Sequence, residues 1–261
     1  GGISDTMEFE MVGGLDQTNL LISFGLILSL MIISRLRHIL NEEGTWAAAA
    51  LGLGVAIAGH WSWLLILLSF LGTGFAATRW RYEEKVQKGL HEEAEGERGW
   101  TNVVANGGVP LIVAVAAAVT GDWEEMFPIF TIAVAVAASD TFASEFGSLD
   151  ERVYMITTMK RCEQGINGGF SPTGQLAATA GALLIAVVGL VLGTLVGANA
   201  VASPLEFILS VTIIGFIGCQ IDSLFGATLE NRGLIGKGTV NALAIGSGAL
   251  IAACLHPIIP L

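Results

Sequence analysis

Long apolar stretches separated by short polar connections fill nearly the whole chain. Most of these stretches approach the roughly 20 apolar residues that a helix needs to cross a bilayer. The second stretch is short, and only Gly59 and His60 divide it from the third, so seven spans are an alternative to eight. The pattern predicts an all-α polytopic bundle of about eight spans, near Thr18–Leu40, Thr45–Gly59, Trp61–Thr78, Asn102–Thr120, Met126–Ser144, Thr173–Ala198, Leu205–Leu229 and Thr239–Pro257.

Composition agrees with a membrane protein. Hydrophobic residues make up 53% of the chain and charged residues only 13%, with a mean hydropathy of +0.69, whereas soluble domains carry about 25% charged residues. The chain begins with Gly1-Gly2 and no methionine, so we expect residues 1–16 to be an acidic tail that is partly added sequence, followed by a single transmembrane domain over 17–261. The net charge of -11 argues against nucleic acid as a partner.

The basic residues predict the orientation in the cell membrane. With eight spans, all four connections that carry them lie on one side, which the positive-inside rule makes cytoplasmic, and both termini lie outside. A seven-span chain without the turn at Gly59-His60 would place the first two arginines on the opposite side, which favours eight. The basic residues are Arg35, Arg37, Arg79, Arg81, Lys85, Lys88, Arg98, Arg152, Lys160, Arg161, Arg232 and Lys237.

The stretch from Ser139 to Gly174 is the strongest candidate for chemistry. It begins with Asp140 inside an apolar segment, and an acid at membrane depth is a functional hypothesis by default. It ends on a glycine-rich turn ahead of a helix start, where backbone N–H groups and the helix dipole favour a phosphate. We therefore expect phosphate or nucleotide binding by Ser144, Glu145, Lys160, Arg161, Gly165, Asn167, Gly168, Gly169 and Ser171, with Lys160 as a catalytic cation.

A second intramembrane acid, Asp222, lies at a depth similar to that of Asp140. Two acids on different helices suit Mg²⁺, which prefers one or two carboxylates together with phosphate oxygens and water. We expect Asp140 and Asp222 to be the metal ligands and catalytic acids, with Ser223 and Asn241 completing the site. Glu145 lies about 140° around the helix from Asp140, so these two carboxylates do not easily hold one ion. The isolated cysteines and histidines do not suggest a zinc site.

Two further patterns involve small and amide residues. Arg98 precedes Asn102 and Asn106, which share a helix face. We expect Arg98 to act as a catalytic cation and the two amides to orient phosphate. The alternative is that the amides only hold helices together. Glycines spaced by four in the sixth stretch indicate close helix packing, within one chain or across a homodimer. They are Gly189, Gly193 and Gly197.

The combined motifs resemble the phytyl-phosphate kinase family of integral membrane proteins, from about Gly44 to the C-terminus, and are distantly similar to the dolichol and phytol kinases. This resemblance implies a catalytic domain that transfers phosphate from CTP to an isoprenoid monophosphate with a phytyl- or geranylgeranyl-like tail. The matching residues are the stretch Arg98–Gly107, then Asp140, Thr141, Ala143, Ser144, Glu145 and Gly147, then Gly165, Asn167, Gly168, Gly169, Ser171 and Gly174, then Asp222, Ser223, Gly226 and Ala227.

The chain departs from the family pattern at three places. Ser139 stands where alanine is usual, Ile166 where threonine is usual in the glycine loop, and Glu230 where glutamine is usual. These departures concern nucleotide or substrate preference more than the class of reaction.

Two other functions use the same residues. A lipid-phosphate cytidylyltransferase would transfer a nucleotidyl group at this site, and a transporter would use intramembrane acids as an ion pathway. Motifs gathered at one membrane face favour an enzyme with its active site facing the cytoplasm. None of the motifs contains a histidine that could act as a base, and a phosphate acceptor is already anionic, so a monophosphate is the expected acceptor.

Overall fold

The computed structural model describes residues 13–91, 96–196, 201 and 203–255, and this part of the chain is almost entirely helical. Two short strands, β1 (Tyr154–Met155) and β2 (Gly169–Phe170), pair antiparallel in the polar connection between the fifth and sixth apolar stretches. The helices are α1 (Gln17–Arg37), α2 (Glu42–Ala58), α3 (Trp61–Arg79), α4 (Tyr82–Gln87), α5 (Trp100–Thr120), α6 (Trp123–Gly147), α7 (Pro172–Leu195), α8 (Pro204–Phe225) and α9 (Lys237–Leu255).

The all-α polytopic fold is confirmed. Within the described residues, seven helices are long and apolar enough to cross a membrane: all those named above except α2 and α4. The remaining long helix, α2, has 17 residues and packs against α1 and α5, so it corresponds to the short second stretch. Whether it spans the bilayer as an eighth helix stays a prediction. Most of the expected acidic tail, Gly197, Ala198 and Pro257 lie outside the described residues.

The core of the bundle is α6, which packs against α3, α5, α7, α8 and α9. Its middle is a run of small and β-branched residues, and Phe130, Ala133 and Ala135 are completely buried. The Trp63 ring of α3 packs against the Phe130 ring in a tilted arrangement, with 4.7 Å between the ring centroids. Small residues let neighbouring backbones approach closely, which is how membrane helices gain packing energy without a hydrophobic driving force. A central helix of this kind holds its polar residues in fixed positions.

Gly189 and Gly193, two of the three glycines spaced by four, pack against other parts of this chain. A Cβ at Gly189 would lie 2.6 Å from Thr131 of α6, and one at Gly193 would lie 3.1 Å from Phe127 of α6. Both glycines therefore allow α7 to approach α6. These two glycines therefore support helix packing within one chain, and a homodimer through them is not shown.

One end of the bundle gathers the ends of four helices. Here α6 and α8 finish, α7 and α9 begin, and the loop that carries the β1–β2 pair closes over them. Ser171 caps α7 by accepting a hydrogen bond from Gly174 N at 3.1 Å, and its hydroxyl donates to Gly147 O at 3.3 Å. This cap ties the start of α7 to the end of α6, and it fixes the loop at the point where the sequence motifs converge.

Candidate active site

A cavity of about 220 Å³ opens at this end of the bundle, between the ends of α6, α7, α8 and α9; we call it the polar cavity. It brings together ten of the residues that the sequence analysis assigned to the site. Those ten are Asp140, Ser144, Gly165, Asn167, Gly168, Gly169, Ser171, Asp222, Ser223 and Asn241.

The two intramembrane acids meet in this cavity. The carboxyl groups of Asp140 and Asp222 are within hydrogen-bonding reach of each other, and Lys237 is close enough to attract Asp222. The Oδ1 atoms of Asp222 and Asn241 are buried with no hydrogen-bond partner in the described structure. Buried oxygen atoms without partners are costly, and two adjacent carboxylates repel each other unless a proton or a cation lies between them.

These oxygen atoms fit a magnesium ion. Mg²⁺ binds oxygen ligands and usually takes one or two carboxylates, leaving its other positions to water and substrate phosphate. No cluster of three or more His, Cys, Asp or Glu side chains within the described residues is arranged to hold a metal. If Mg²⁺ binds in this cavity, Asp140, Asp222 and Asn241 are the residues that would hold it, and a substrate would supply further oxygen ligands.

A π-helical turn at Gly226–Glu230 follows α8 and adds an acid that the sequence analysis did not assign to the site. Along a straight α-helix, Glu230 would lie about 80° around the axis from Asp222. The wider π turn, with its i→i+5 hydrogen bonds, rotates less per residue and so reduces this offset. Both side chains accordingly line the polar cavity, and Glu230 acts electrostatically on Asp222.

The glycine loop packs on this π turn. Gly168 has φ +79°, and a Cβ there would lie 2.8 Å from Ala227 Cα, so only glycine fits. Asn231 donates a hydrogen bond from Nδ2 to Asn167 O at 2.9 Å. The N–H of Gly169 is used within the loop, where it donates to Ile166 O at 3.0 Å. The loop forms a wall of the cavity. Its glycines are needed for close packing against the π turn, whether or not they also contact a ligand.

The cations that were expected to bind phosphate beside the glycine loop do not line the polar cavity. The side chains of Lys160 and Arg161 are exposed and lie outside its lining. The guanidinium of Arg161 lies 5.9 Å from the Tyr154 ring centroid. Among the described residues that line the cavity, Lys237 is the only lysine or arginine. It opens α9, and the sequence analysis used it only to orient the chain.

Glu145 also lies outside the polar cavity, although it was expected to bind nucleotide. Its carboxylate accepts hydrogen bonds from Lys85 Nζ at 2.6 Å and Thr78 Oγ1 at 2.7 Å. Lys85 is only 1% exposed and also donates to the carbonyl oxygens of Ala77 and Thr78. This buried ion pair joins α4 and α3 to α6, so its evident role is to hold helices together.

The segment after α4 reaches the rim of the polar cavity. Gly89, Leu90 and His91 line it, and a Cβ at Gly165 would lie 3.0 Å from Leu90. The His91 ring lies 6.3 Å from the Tyr82 ring. None of the sequence motifs contains a histidine, but folding brings His91 to the site from a polar connection. No spacing pattern in the sequence signals this contact.

Arg98, Asn102 and Asn106 line a different cavity, of about 60 Å³, between α1, α2, α3 and α5; we call it the apolar cavity. Arg98 is 4% exposed, and its guanidinium lies 5.6 Å from the Phe70 ring and against Gly74. Asn106 Nδ2 donates to Asn102 O at 2.9 Å. These three residues are brought together as expected, but apart from the two aspartates.

Asp150 holds the loop to the start of α7. Its carboxylate accepts hydrogen bonds from Thr173 Oγ1 at 2.7 Å and from the Arg152 side chain at 3.0 Å. The Arg152 guanidinium and the Thr173 hydroxyl hold the pKa of Asp150 well below its usual range. The carboxylate therefore stays ionised at neutral pH and keeps one wall of the polar cavity in place.

Comparison with known proteins places this architecture in a family. Residues 25–249 match the family described as integral membrane protein DUF92. The chain belongs to the DUF92 family. An uncharacterized membrane protein of Methanocaldococcus jannaschii is 31% identical over 253 residues, which cover 97% of this chain and 98% of that protein.

Relatives of this DUF92 protein also occur in photosynthetic organisms. An uncharacterized membrane protein of Synechocystis is 30% identical over 199 residues, 75% of this chain and 74% of that protein. The chloroplastic protein VTE6 of Arabidopsis thaliana is 25% identical over 228 residues, 84% of this chain and 66% of that protein. No solved structure gives a significant match to this DUF92 chain.

Proposed function

We propose that this protein is a CTP-dependent kinase that converts an isoprenoid monophosphate into the diphosphate at the cytoplasmic face of the membrane. The observation that carries the proposal is the polar cavity itself, where two aspartates from different helices face a lysine and a glycine loop at one end of an apolar bundle. The motif resemblance to phytyl-phosphate kinases supports the same assignment and suggests CTP and a phytyl- or geranylgeranyl-like tail.

The proposed reaction is a phosphoryl transfer. An oxygen of the prenyl monophosphate attacks the γ-phosphorus of CTP, the bond between that phosphorus and the β–γ bridging oxygen breaks, and CDP leaves with the bond electrons. Positioning and charge neutralisation are the main requirements of such a step. Asp140, Asp222 and Asn241 would hold Mg²⁺, which neutralises phosphate charge when bound. The chain's own task is to fix the two phosphate groups in line.

The depth of the site favours an enzyme over a transporter. Secondary transporters place their substrate near the bilayer midplane. Here Asp222 lies three residues before the end of α8, and Asn241 lies in the first turns of α9, so the cavity opens at an end of the bundle. A soluble nucleotide can enter there while the lipid tail stays among apolar helices. The cytoplasmic orientation of this end rests on the distribution of basic residues.

His91 supports one alternative acceptor. A histidine at the rim of the cavity can accept a proton, so a free isoprenoid alcohol is a second candidate substrate. With an alcohol, the hydroxyl proton would pass to His91 as the oxygen attacks the same phosphorus. A His91→Gln variant should then lose alcohol phosphorylation selectively, whereas phosphorylation of a monophosphate should change little.

The test is a direct comparison of geranylgeraniol with geranylgeranyl monophosphate, using purified protein, Mg²⁺ and CTP labelled at either the α- or the γ-phosphate. The proposal expects γ-label in a geranylgeranyl diphosphate product. Faster labelling of the free alcohol would favour the alcohol kinase. Incorporation of α-label into the lipid would indicate a cytidylyltransferase. Label in no lipid, with substrate flux into proteoliposomes, would indicate a transporter.

A further inference from the structure

The acidic side chains of Asp140, Asp222 and Glu230 all line the polar cavity, and a nucleoside triphosphate would bring several negative charges. One divalent ion between two aspartates leaves most of the phosphate charge uncompensated, so a protein cation is needed at the phosphates. In the part of the chain that the structure describes, Lys237 is the only lysine or arginine that lines this cavity.

The start of α9 has the features of a phosphate site. The first amide groups of an α-helix have no acceptor within the helix, and the dipole there favours an anion. The turn is formed, because Thr239 N and Val240 N both donate to Gly236 O, at 3.0 and 3.1 Å. A Cβ at Gly236 would meet open space, and one at Gly238 would make only an ordinary contact with Ala105 at 3.6 Å. Packing within the described chain therefore does not require glycine at either position.

An independent observation points to a ligand at the same place. Asn241 lies one turn after Lys237 on the same helix, is 7% exposed and lines the polar cavity, and its Oδ1 atom has no hydrogen-bond partner in the described structure. A buried amide oxygen of this kind calls for a cation or a donor group. Lys237, one turn away and exposed, also attracts Asp222. Asn241 can thus face the metal while Lys237 faces phosphate oxygens bound to it.

We infer that Lys237, with the first turn of α9, binds the phosphates of the nucleotide. The inference rests on the proposed function and names a residue that performs the role expected of Lys160 and Arg161. The ammonium group of Lys237 would contact the β- or γ-phosphate oxygens, with the Gly236–Gly238 turn leaving room for them. Lys160 and Arg161, which are exposed and do not line the polar cavity, contribute little to nucleotide binding.

The experiment compares Lys237→Met with Lys160→Met and Arg161→Met, which remove exposed cations near the same end of the bundle. Nucleotide KM and kcat are measured with geranylgeranyl monophosphate, and the rise in Tm on adding Mg²⁺ and CTP is measured without acceptor. We expect Lys237→Met to raise the CTP KM at least about tenfold, as loss of a charge-assisted hydrogen bond predicts, and to remove most of the Tm rise. Lys237→Arg should restore part of both, and the two control variants should stay within twofold of wild type.

A Lys237→Met variant with unchanged KM and Tm response would overturn the inference, as would a larger effect from either control. The Tm measurement without acceptor distinguishes failure of the phosphate site from failure of the proposed kinase reaction. If the wild type transfers no phosphate but is stabilised by Mg²⁺ and CTP, and Lys237→Met abolishes that stabilisation, the kinase assignment fails and the phosphate site stands. If nucleotide does not stabilise the wild type at all, the phosphate site fails as well.

Discussion

The polar cavity and the apolar cavity both contain buried polar side chains, but the two cavities differ in whether these side chains have hydrogen-bond partners. In the apolar cavity, Asn106 donates to Asn102, and the Arg98 guanidinium lies over the Phe70 ring. In the polar cavity, oxygen atoms of Asp222 and Asn241 have no partner within the described structure. Polar groups that pair with each other mainly stabilise a fold, whereas buried oxygens without a partner indicate a place for a ligand.

The strongest test of this comparison replaces the acids of the polar cavity. We expect Asp140→Asn or Asp222→Asn to lower turnover by at least about a hundredfold, because the site would lose a metal ligand whose ion supplies several kcal/mol of stabilisation to the transition state. The Tm in detergent should fall little or even rise, since repulsion between the two carboxylates is removed. Turnover is measured by product formation at saturating CTP.

Glu163→Gln is the matched control, because Glu163 is an exposed acid on the loop above the same cavity. Its turnover should equal that of wild type. Near-normal turnover of both aspartate variants at ordinary Mg²⁺ concentration would mean that the polar cavity is not the catalytic centre.

The next effect concerns the buried ion pair between Lys85 and Glu145, which joins α4 to α6. Glu145→Gln leaves Lys85 with its charge buried and its carboxylate partner removed, and breaking a buried pair in this way costs about 3–5 kcal/mol. We expect a clearly lower Tm and, because α4 leads to the cavity rim, a secondary loss of turnover. Replacing both partners, as Lys85→Met with Glu145→Leu, should recover much of the Tm. A Glu145→Gln variant as stable as wild type would show that the pair does not hold α4 and α6 together.

The smallest effect is expected in the apolar cavity. Arg98→Gln removes a buried cation that packs on Phe70 and Gly74, so the free energy of unfolding should fall by about 1–3 kcal/mol. The CTP KM should stay within twofold of wild type, because Arg98 does not line the polar cavity. Thermal unfolding and steady-state kinetics on one preparation measure both. A large rise in KM with unchanged Tm would instead support the phosphate role that the sequence analysis expected for Arg98.

Much of this arrangement follows from the sequence alone. Apolar runs of spanning length specify helices whatever their neighbours, because an unpaired backbone cannot lie in lipid. The alternation of runs and loops places the ends of α6 and α8 on one side, so Asp140 and Asp222 could be assigned to one site. The motif glycines and Asn241 were found for the same reason, since helix direction determines which residues share an end of the bundle.

The tertiary structure decided which side chains meet. Glu145 and Lys85 lie 60 positions apart, and their pairing depends on how α6 and α4 are rotated about their axes. Helices that are apolar nearly all round carry little sequence information about which face points inward. For the same reason, the sequence did not predict that Arg98 is separated from the aspartates. It also did not predict that Glu230, through the π turn, and Lys237 line the polar cavity. Position along the helix axis was readable from the pattern, whereas rotation about the axis was determined by packing.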